Sequence, residues 1–252
     1  MKIPILFFVS IICIKSVVFS QETIYDETTV VFKNQFYGGA LLHTNGWGLH
    51  IQKGKNKTAF NTRIFGLEIV GMKHPKEVRS FNPYYQDPKS YIYGKLNSFF
   101  LIRPSIGYKK MLFDKIRESA VEVGYTFSVG PCLGFTKPVY FEIGHGEPSL
   151  LPYKYITVEK FNAAEHSSTN IYGKASGLKG FDELKFQPGI SGKFGLYFDY
   201  SPNRPSIKGL ETGVSIDAFT NKVDLLANNL NKQIYFNFYI SAHFGKKYNN
   251  IN

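Results

Sequence analysis

The sequence is poor in cysteine and tryptophan, and it has no excess of apolar residues. Its 252 residues include two cysteines and one tryptophan. Cys13 lies in an N-terminal apolar segment, so removal of that segment would leave Cys132 alone and exclude an intrachain disulfide. A single cysteine also argues against a structural zinc site. The apolar fraction of 43% is ordinary for a soluble protein, so bulk hydrophobicity indicates no membrane helix.

Residues 1–20 have the composition of a secretory signal. Lys2 precedes an apolar core that ends at Cys13, and a cut is expected before Gln21. The segment is too short to span a membrane as a helix. A lipoprotein signal acylated at Cys13 is the alternative, but no small residue stands before that cysteine. We therefore expect a mature chain of residues 21–252 that forms one domain.

Aromatic residues are abundant, and they occur in alternating patterns. The chain contains 17 Tyr and 23 Phe, which suit strand surfaces. The clearest pattern is the last one, where every second residue from Ile234 to Phe244 is apolar and the residues between are mostly polar. Successive strand side chains point to opposite faces, so this segment predicts a strand with one apolar and one polar face. Its length is about that of a tilted strand crossing a bilayer.

Seven further segments show similar alternation. Together they predict an all-β fold, an eight-stranded antiparallel up-and-down transmembrane β-barrel with long extracellular loops. The expected strands cover residues 30–44, 47–52, 59–72, 98–110, 121–130, 190–200, 210–218 and 234–244.

Turn chemistry suggests the pairing of the first two strands. Asn45-Gly46 favours a two-residue hairpin turn, which would set Leu42 opposite Leu49 and Ala40 opposite Ile51.

Pairing Lys110 with Val121 would set Lys109 beside Glu122 as a cross-strand ion pair.

The lengths of the connections indicate the orientation of the barrel. Connections after the second, fourth and sixth strands are short and polar, as expected on the periplasmic side, whereas those after the third, fifth and seventh are long. Alternation stops in residues 131–185, which we interpret as a long extracellular loop.

A soluble lipocalin-like barrel or a β-sandwich is the alternative fold. Neither would repeatedly place Lys, Glu, Asp and Arg with Gly on the face opposite the apolar one.

The C-terminal residues support a resemblance to a known group. After its aromatic alternation the chain ends a strand with Phe244-Gly245-Lys246-Lys247, which resembles the small outer-membrane barrels of Bacteroidota, a porin-like superfamily. The resemblance implies an outer-membrane barrel whose last strand is read by the assembly machinery. Members have mostly unassigned roles, and some similar barrels are secretion-system accessories. Residues 248–252 extend beyond the motif and depart from the pattern.

Charged residues recur on the face that would line the lumen. An eight-stranded barrel is only wide enough for its own side chains, so mixed charges should pair into a plug. A lining of a narrow channel for small solutes is the alternative. The expected lumen residues are His43, His50, Arg103, Lys109, Glu122, Lys193, Asp199, Glu211 and Asp217.

Basic residues gather near the expected periplasmic rim, in a chain of formal net charge +11. Such a rim suits outer-membrane lipid headgroups or an acidic periplasmic partner, and export makes nucleic acid an improbable partner. The rim residues are Lys53, Lys55, Lys57, Lys110, Lys115, Arg117, Arg204, Lys208, Lys246 and Lys247.

Two groups of histidines have neighbours that could give them a chemical role. His43 and His50 share a face on neighbouring strands, but two histidines without a third ligand are usually hydrogen-bonded rather than metal-bound. His145 and His166 lie in the long loop with Glu142, Glu147 and Glu165 and several serines, which would suit a surface lipid-modifying enzyme. No nucleophile elbow supports that chemistry, and nothing indicates a cofactor.

The leading hypothesis is a non-enzymatic outer-membrane barrel that binds a partner subunit or an external ligand through its outer loops, chiefly residues 131–185. The partner could belong to an envelope or secretion assembly. A narrow channel and a lipid-modifying enzyme are the alternatives.

Overall fold

The computed structural model describes residues 32–84, 89–115, 120–146, 155–227 and 231–249. The expected signal segment, residues 1–20, lies outside them. In the described part no helix is both long and apolar enough to cross a membrane. The strands are β1 (Asn34–His43), β2 (Gly46–Asn56), β3 (Asn61–Met72), β4 (Arg79–Ser80), β5 (Tyr91–Ile92), β6 (Asn97–Phe113), β7 (Glu122–Pro138), β8 (Tyr140–His145), β9 (Tyr155–Lys160), β10 (Ile171–Lys174), β11 (Lys185–Asp199), β12 (Ser206–Phe219) and β13 (Ile234–Tyr248).

Eight of these strands form a closed barrel in the order β1-β13-β12-β11-β7-β6-β3-β2. Every neighbouring pair is antiparallel, and β13 closes the barrel against β1 from Tyr248 opposite Asn34 to Tyr239 opposite His43. The predicted all-β, eight-stranded antiparallel barrel is confirmed. We call the end with the long connections the outer end and the end with short turns the inner end.

The polarity of the barrel is the reverse of that of a soluble one. Outward-facing side chains form an exposed apolar belt, whereas polar and charged side chains point inward and are buried. Along each barrel strand, the side chains predicted to point outward do so, and those predicted to point inward do so, because successive side chains of a strand alternate between its two faces. The belt contains Leu42, Trp47, Leu49, Ile51, Phe65, Leu67, Ile69, Ile106, Tyr108, Phe127, Val129, Phe194, Leu196, Phe198, Leu210, Ile216, Phe236, Phe238, Ile240 and Phe244.

The predicted register of the first hairpin was wrong by two residues. Leu42 lies opposite Trp47 and Ala40 opposite Leu49, because the turn is formed by residues 44 and 45. Gly46 already belongs to β2, where a β-carbon would meet the carbonyl oxygen of Gly71 at 2.0 Å. Glycine is thus required at this position by close strand contact. The shift is even, so each side chain keeps its predicted face.

The predicted pairing of Lys110 with Val121 was also wrong. Lys110 lies opposite Tyr125 and Lys109 opposite Thr126. A register shift follows Met111, so the β6–β7 connection begins further along β6 than the polar residues of the turn suggested. The predicted contact survives, since the Lys109 Nζ atom is 3.8 Å from Glu122 Oε1.

The last strand does not end at Phe244-Gly245. It continues to Tyr248, with Gly245 opposite Tyr37 and Lys247 opposite Gln35. A β-carbon on Gly245 would lie 2.2 Å from the carbonyl oxygen of Phe36, so this glycine permits close pairing rather than ending the strand.

The irregular segment predicted at residues 131–185 is largely regular structure. β7 runs to Pro138 and β11 starts at Lys185, and the two pair from Thr136 opposite Lys185 onward. Pro131 reads as a strand breaker because it lacks an N–H group. It is tolerated because it falls in a gap of the β6–β7 pairing, between Ile102 opposite Leu133 and Ile106 opposite Val129.

The remaining part of that segment belongs to a folded outer cap, which we define as the described residues of 73–96, 139–184 and 220–233. It contains a three-stranded sheet in the order β10-β8-β9 and the two-stranded β4–β5 sheet. Its core is apolar and buried, so the cap is a packed unit rather than a loose loop. The core residues are Tyr91, Val139, Phe141, Ile143, Phe161 and Ile171.

We expect Gly213→Ala to destabilise the barrel. Its β-carbon would lie 2.1 Å from the Phe194 carbonyl oxygen and 2.5 Å from the Gly195 Cα atom. Overpacking of this kind costs about 1–3 kcal/mol. Urea unfolding in detergent, followed by fluorescence of the single tryptophan, measures the loss.

Gly192→Ala is the matched control, because no atom lies within 4 Å of a β-carbon there. Equal stability of the two variants would contradict the described β11–β12 contact.

Candidate functional site

A network of ion pairs fills the barrel, and its outer part joins strands that are not neighbours. Arg103 on β6 donates to Asp217 on β12, with Nη2 2.5 Å from Oδ2. Lys193 on β11 donates to Glu68 on β3, with Nζ 2.7 Å from Oε1. Arg103 Nη1 is also 3.6 Å from Glu68 Oε2. These four side chains are buried and span the lumen from wall to wall.

The middle part of the network is centred on Glu211. Lys193 Nζ lies 3.6 Å from Glu211 Oε1, to which the Tyr239 hydroxyl also donates at 2.6 Å. The His243 Nε2 atom is 3.7 Å from Glu211 Oε2, and its ring lies 4.7 Å from that of His50. Glu211 therefore has polar neighbours from two strands, β11 and β13.

The inner part of the network closes the other end of the lumen. Glu122 accepts from Tyr197 at 3.0 Å and from Lys247 at 3.2 Å. Lys115 Nζ is 3.1 Å from Asp199 Oδ1, and it also donates to the backbone and side-chain oxygens of Ser201 at 2.9 Å.

Charges inside the barrel balance. Five acids and five bases pair with one another in the lumen, and we call these ten residues the ion ladder. The acids are Glu68, Glu122, Asp199, Glu211 and Asp217, and the bases are Arg103, Lys109, Lys115, Lys193 and Lys247. The structure therefore brings the expected lumen residues together, apart from the two histidines. Sequence reasoning missed Glu68, Tyr197, Tyr239 and His243, although each faces inward by strand alternation.

The two lumen histidines have different neighbours. His43 Nδ1 lies 3.3 Å from Asn237 Oδ1 and accepts from the Asn45 amide at 3.2 Å. His50 packs beside His243 and lies 3.4 Å from the Ser241 hydroxyl. In the part of the chain that the structure describes, no group of three or more His, Cys, Asp or Glu residues is arranged to hold a metal ion.

An apolar cluster closes the lumen above the ion ladder. We call it the outer plug, and it combines inward-facing barrel residues with two residues of the cap segment after β12. Val223 and Leu225, with no exposed surface, pack into the barrel mouth. The cluster comprises Leu41, Val70, Met72, Phe99, Leu101, Cys132, Phe219, Val223, Leu225 and Tyr235.

Near the inner end, a cavity beside Tyr37 and Lys109 has a volume of about 10 Å³, the space of about one water molecule.

The expected basic rim divides into two groups. Lys115 and Lys247 belong to the ion ladder. The others are exposed at the inner end, several of them on the outer wall below the apolar belt, and Arg117 lies outside the described residues. The exposed group is Lys53, Lys55, Lys57, Lys110, Arg204, Lys208 and Lys246.

The loop histidines meet at Glu159, a residue that the sequence did not single out. His145 Nε2 is 3.5 Å from Glu159 Oε1, and His166 Nε2 is 3.4 Å from Oε2. Thr157 donates to Glu159 at 2.5 Å, and this hydrogen bond, with His166, holds the pKa of Glu159 below its usual value. The Thr157 hydroxyl also lies 2.6 Å from His145 Nε2, so Thr157, His145 and Glu159 form one connected polar cluster. Glu147 lies outside the described residues, and Glu142 pairs with Lys89 at 2.8 Å.

A pocket of about 410 Å³ lies at the outer end, between the barrel rim and the cap. Tyr91, Phe99 and Phe141 contribute aromatic surface to its lining. Its other lining residues include four cations, Lys73, Arg79, Lys95 and Lys174, and one carboxylate, Glu77. We call this cavity the outer pocket.

Comparisons with known proteins give only a general likeness. No family model and no curated protein matches the chain. Two solved structures are similar over most of it. One is Ail, the attachment invasion locus protein of Yersinia pestis, in complex with the heparin analogue sucrose octasulfate, with 9% identity, a TM-score of 0.39, and coverage of 84% of this chain and 96% of Ail. The other is Neisserial surface protein A, with 11% identity, a TM-score of 0.37, and coverage of 85% and 96%. Neither likeness is close enough to assign a function.

We expect Arg103→Met to lower the free energy of unfolding by about 3–5 kcal/mol, because it leaves Asp217 buried without its cation. Adding Asp217→Asn removes the uncompensated charge and should recover a large part of the loss. Urea unfolding of both single variants and the double variant forms a double-mutant cycle.

Lys57→Met, an exposed charge in the turn after β2, is the control and should stay within about 0.5 kcal/mol of the parent. An Arg103→Met variant as stable as that control would show that the ladder does not hold the barrel.

Proposed function

We propose that this protein is a non-enzymatic outer-membrane barrel whose outer cap binds a ligand or a partner. The observation that carries the proposal is the reversed polarity of the barrel, with an apolar belt outside and paired charges inside. An apolar outer wall is stable in lipid, where a closed barrel also leaves no unpaired strand edge. Export through a signal at residues 1–20, and membership of the Bacteroidota type of barrel, are parts of this proposal.

The exposed inner-end lysines support the same orientation. Lys53, Lys55, Lys110, Lys208 and Lys246 face outward, next to the apolar belt. Positive side chains at this level would contact anionic lipid headgroups. Lipid contact is therefore the role we propose for this part of the basic rim.

Binding is assigned to the cap because the barrel interior is filled. The ion ladder and the outer plug occupy the lumen, whereas the cap carries the outer pocket and an exposed strand, β9, with Ile156 and Val158 exposed. Rigid scaffolds commonly present binding residues in this way. The partner could be an external molecule or a subunit of an envelope or secretion assembly.

A channel and a lipid-modifying enzyme receive less support. Charges that cross the lumen in pairs, with an apolar plug above them, oppose the passage of solutes. The cluster of His145, Thr157 and Glu159 is open to solvent, with the His145 and Glu159 side chains 35% and 39% exposed, whereas hydrolytic relays work in sites that exclude water.

Cysteine labelling tests the location and orientation. Leu178 is 80% exposed in the cap, and Asn203 is exposed in an inner turn. We expect Leu178→Cys to react with a membrane-impermeant maleimide on intact cells. Asn203→Cys should react only after the outer membrane is permeabilised.

The parent protein is the control, because Cys132 is fully buried and should remain unlabelled in both conditions. Labelling of Asn203→Cys alone on intact cells would reverse the proposed orientation. Labelling of neither variant, even after permeabilisation, would contradict the exposed positions of both turns.

A further inference from the structure

The outer pocket has more positive charge than its own carboxylate can offset. Glu77 is the one acid among its lining residues, and both of its oxygens are already occupied. Oε2 accepts from Lys95 Nζ at 2.6 Å, and Oε1 accepts from the backbone amide of His74 at 3.0 Å. Glu77 therefore neutralises Lys95 and leaves the other three cations of the pocket uncompensated.

Those three cations are exposed residues of the pocket lining. Lys73 follows β3, Arg79 lies in β4 and Lys174 ends β10. Within the described ranges, none of the three has a carboxylate within salt-bridge distance. Three separate elements thus bring positive side chains to one cavity, although like charges repel.

The buried lysine responds to these charges. Burial lowers the pKa of Lys95, the ion pair with Glu77 acts in the opposite direction, and Lys174 and Lys73 lower it further. Lys73 and Lys174 are therefore close enough to Lys95 to repel its charge. Such repulsion is relieved when an anion enters the cavity.

The pocket lining also contains buried aromatic side chains. Tyr91, Phe99 and Phe141 are buried in the cap core and the outer plug, and Trp47 stands exposed at the rim. A cavity of about 410 Å³ is in the size range of small-molecule sites. The lining can accommodate a ring-sized body against its aromatic residues and an oxyanion against its cations.

We infer that the outer pocket binds a sugar-sized ligand that bears a phosphate or sulfate ester, held by Lys73, Arg79 and Lys174. A phosphate monoester carries roughly two negative charges and three acceptor oxygens, which match several cationic donors. Arg79 can bind such an oxyanion with two parallel hydrogen bonds. This inference rests on the proposed function, since it gives the chemistry of the ligand that the cap would bind. The ligand is either the headgroup of a phosphosugar lipid of the same membrane or a soluble anionic sugar.

Calorimetric titration of the full chain in nanodiscs of neutral phosphatidylcholine tests the inference. Glucose 6-phosphate and glucose 6-sulfate should bind with an affinity that falls as salt rises, and glucose should not bind. The triple variant Lys73→Gln, Arg79→Gln, Lys174→Gln should bind at least roughly tenfold more weakly. Tenfold is the lower bound, because the loss of even one charged hydrogen bond weakens binding by about that factor.

The matched control is Lys33→Gln, Lys57→Gln, Lys222→Gln, which removes the same charge from exposed positions outside the outer pocket and should bind like the parent. Failure of both esters to bind the parent would overturn the inference. So would equal affinity of the two triple variants, or equal binding of glucose.

The source is identified by mass spectrometry of lipids retained after purification from a native outer membrane. A phosphosugar lipid that is retained by the parent and lost in the pocket variant assigns the ligand to the membrane. Ester binding without such a lipid assigns it to an external sugar. Correct labelling of the Leu178→Cys and Asn203→Cys variants with no ester binding would refute this inference and leave the proposed function standing.

Discussion

The pairing of charges across the lumen is the interaction on which the barrel depends. An eight-stranded barrel has little room for water, so each inward-facing charge needs a partner within the protein. Arg103 meets Asp217, and Lys193 meets Glu68, between strands that lie three places apart around the ring. The pairs therefore connect opposite walls as well as neighbours. A lone buried charge would cost several kcal/mol, so balance between acids and bases is a condition of folding and not only of solubility.

The interior changes character along the barrel axis, and this change separates the scaffold from the proposed binding surface. The inner and middle lumen is ionic, whereas the outer mouth is filled by the apolar outer plug, to which Val223 and Leu225 of the cap contribute. Phe99 of β6 and Cys132 of β7 belong to the outer plug, and Val139, which follows β7, belongs to the cap core. The cap therefore rests on a filled barrel. A filled scaffold can hold the outer pocket rigidly, and a preformed pocket loses less free energy in ordering when a ligand binds.

The sequence was sufficient to predict the number of barrel strands, the direction in which their side chains point, and the closure of the barrel. Alternation with a period of two is a local property, and the segment from Ile234 to Phe244 shows it clearly. It was insufficient for register and for the cap. The hairpin register depended on whether Gly46 lies in the turn or in β2, and close contact with Gly71 decided this. Pro131 concealed the end of β7, since its tolerance depends on a gap in the β6–β7 pairing that local pattern does not show. The meeting of His145 and His166 at Glu159, and of Lys73, Arg79 and Lys174 at one cavity, depends on contacts between distant segments.

The most direct test of the central claim, that the barrel is a closed scaffold and not a pore, is conductance in planar bilayers. Insertion is verified beforehand by protease protection of the same preparation. The ion ladder and the outer plug predict no discrete conductance steps at any applied voltage that leaves the bilayer intact. Reproducible steps from the parent protein, with ion selectivity that changes on Glu122→Gln, would contradict the account and show that the lumen conducts.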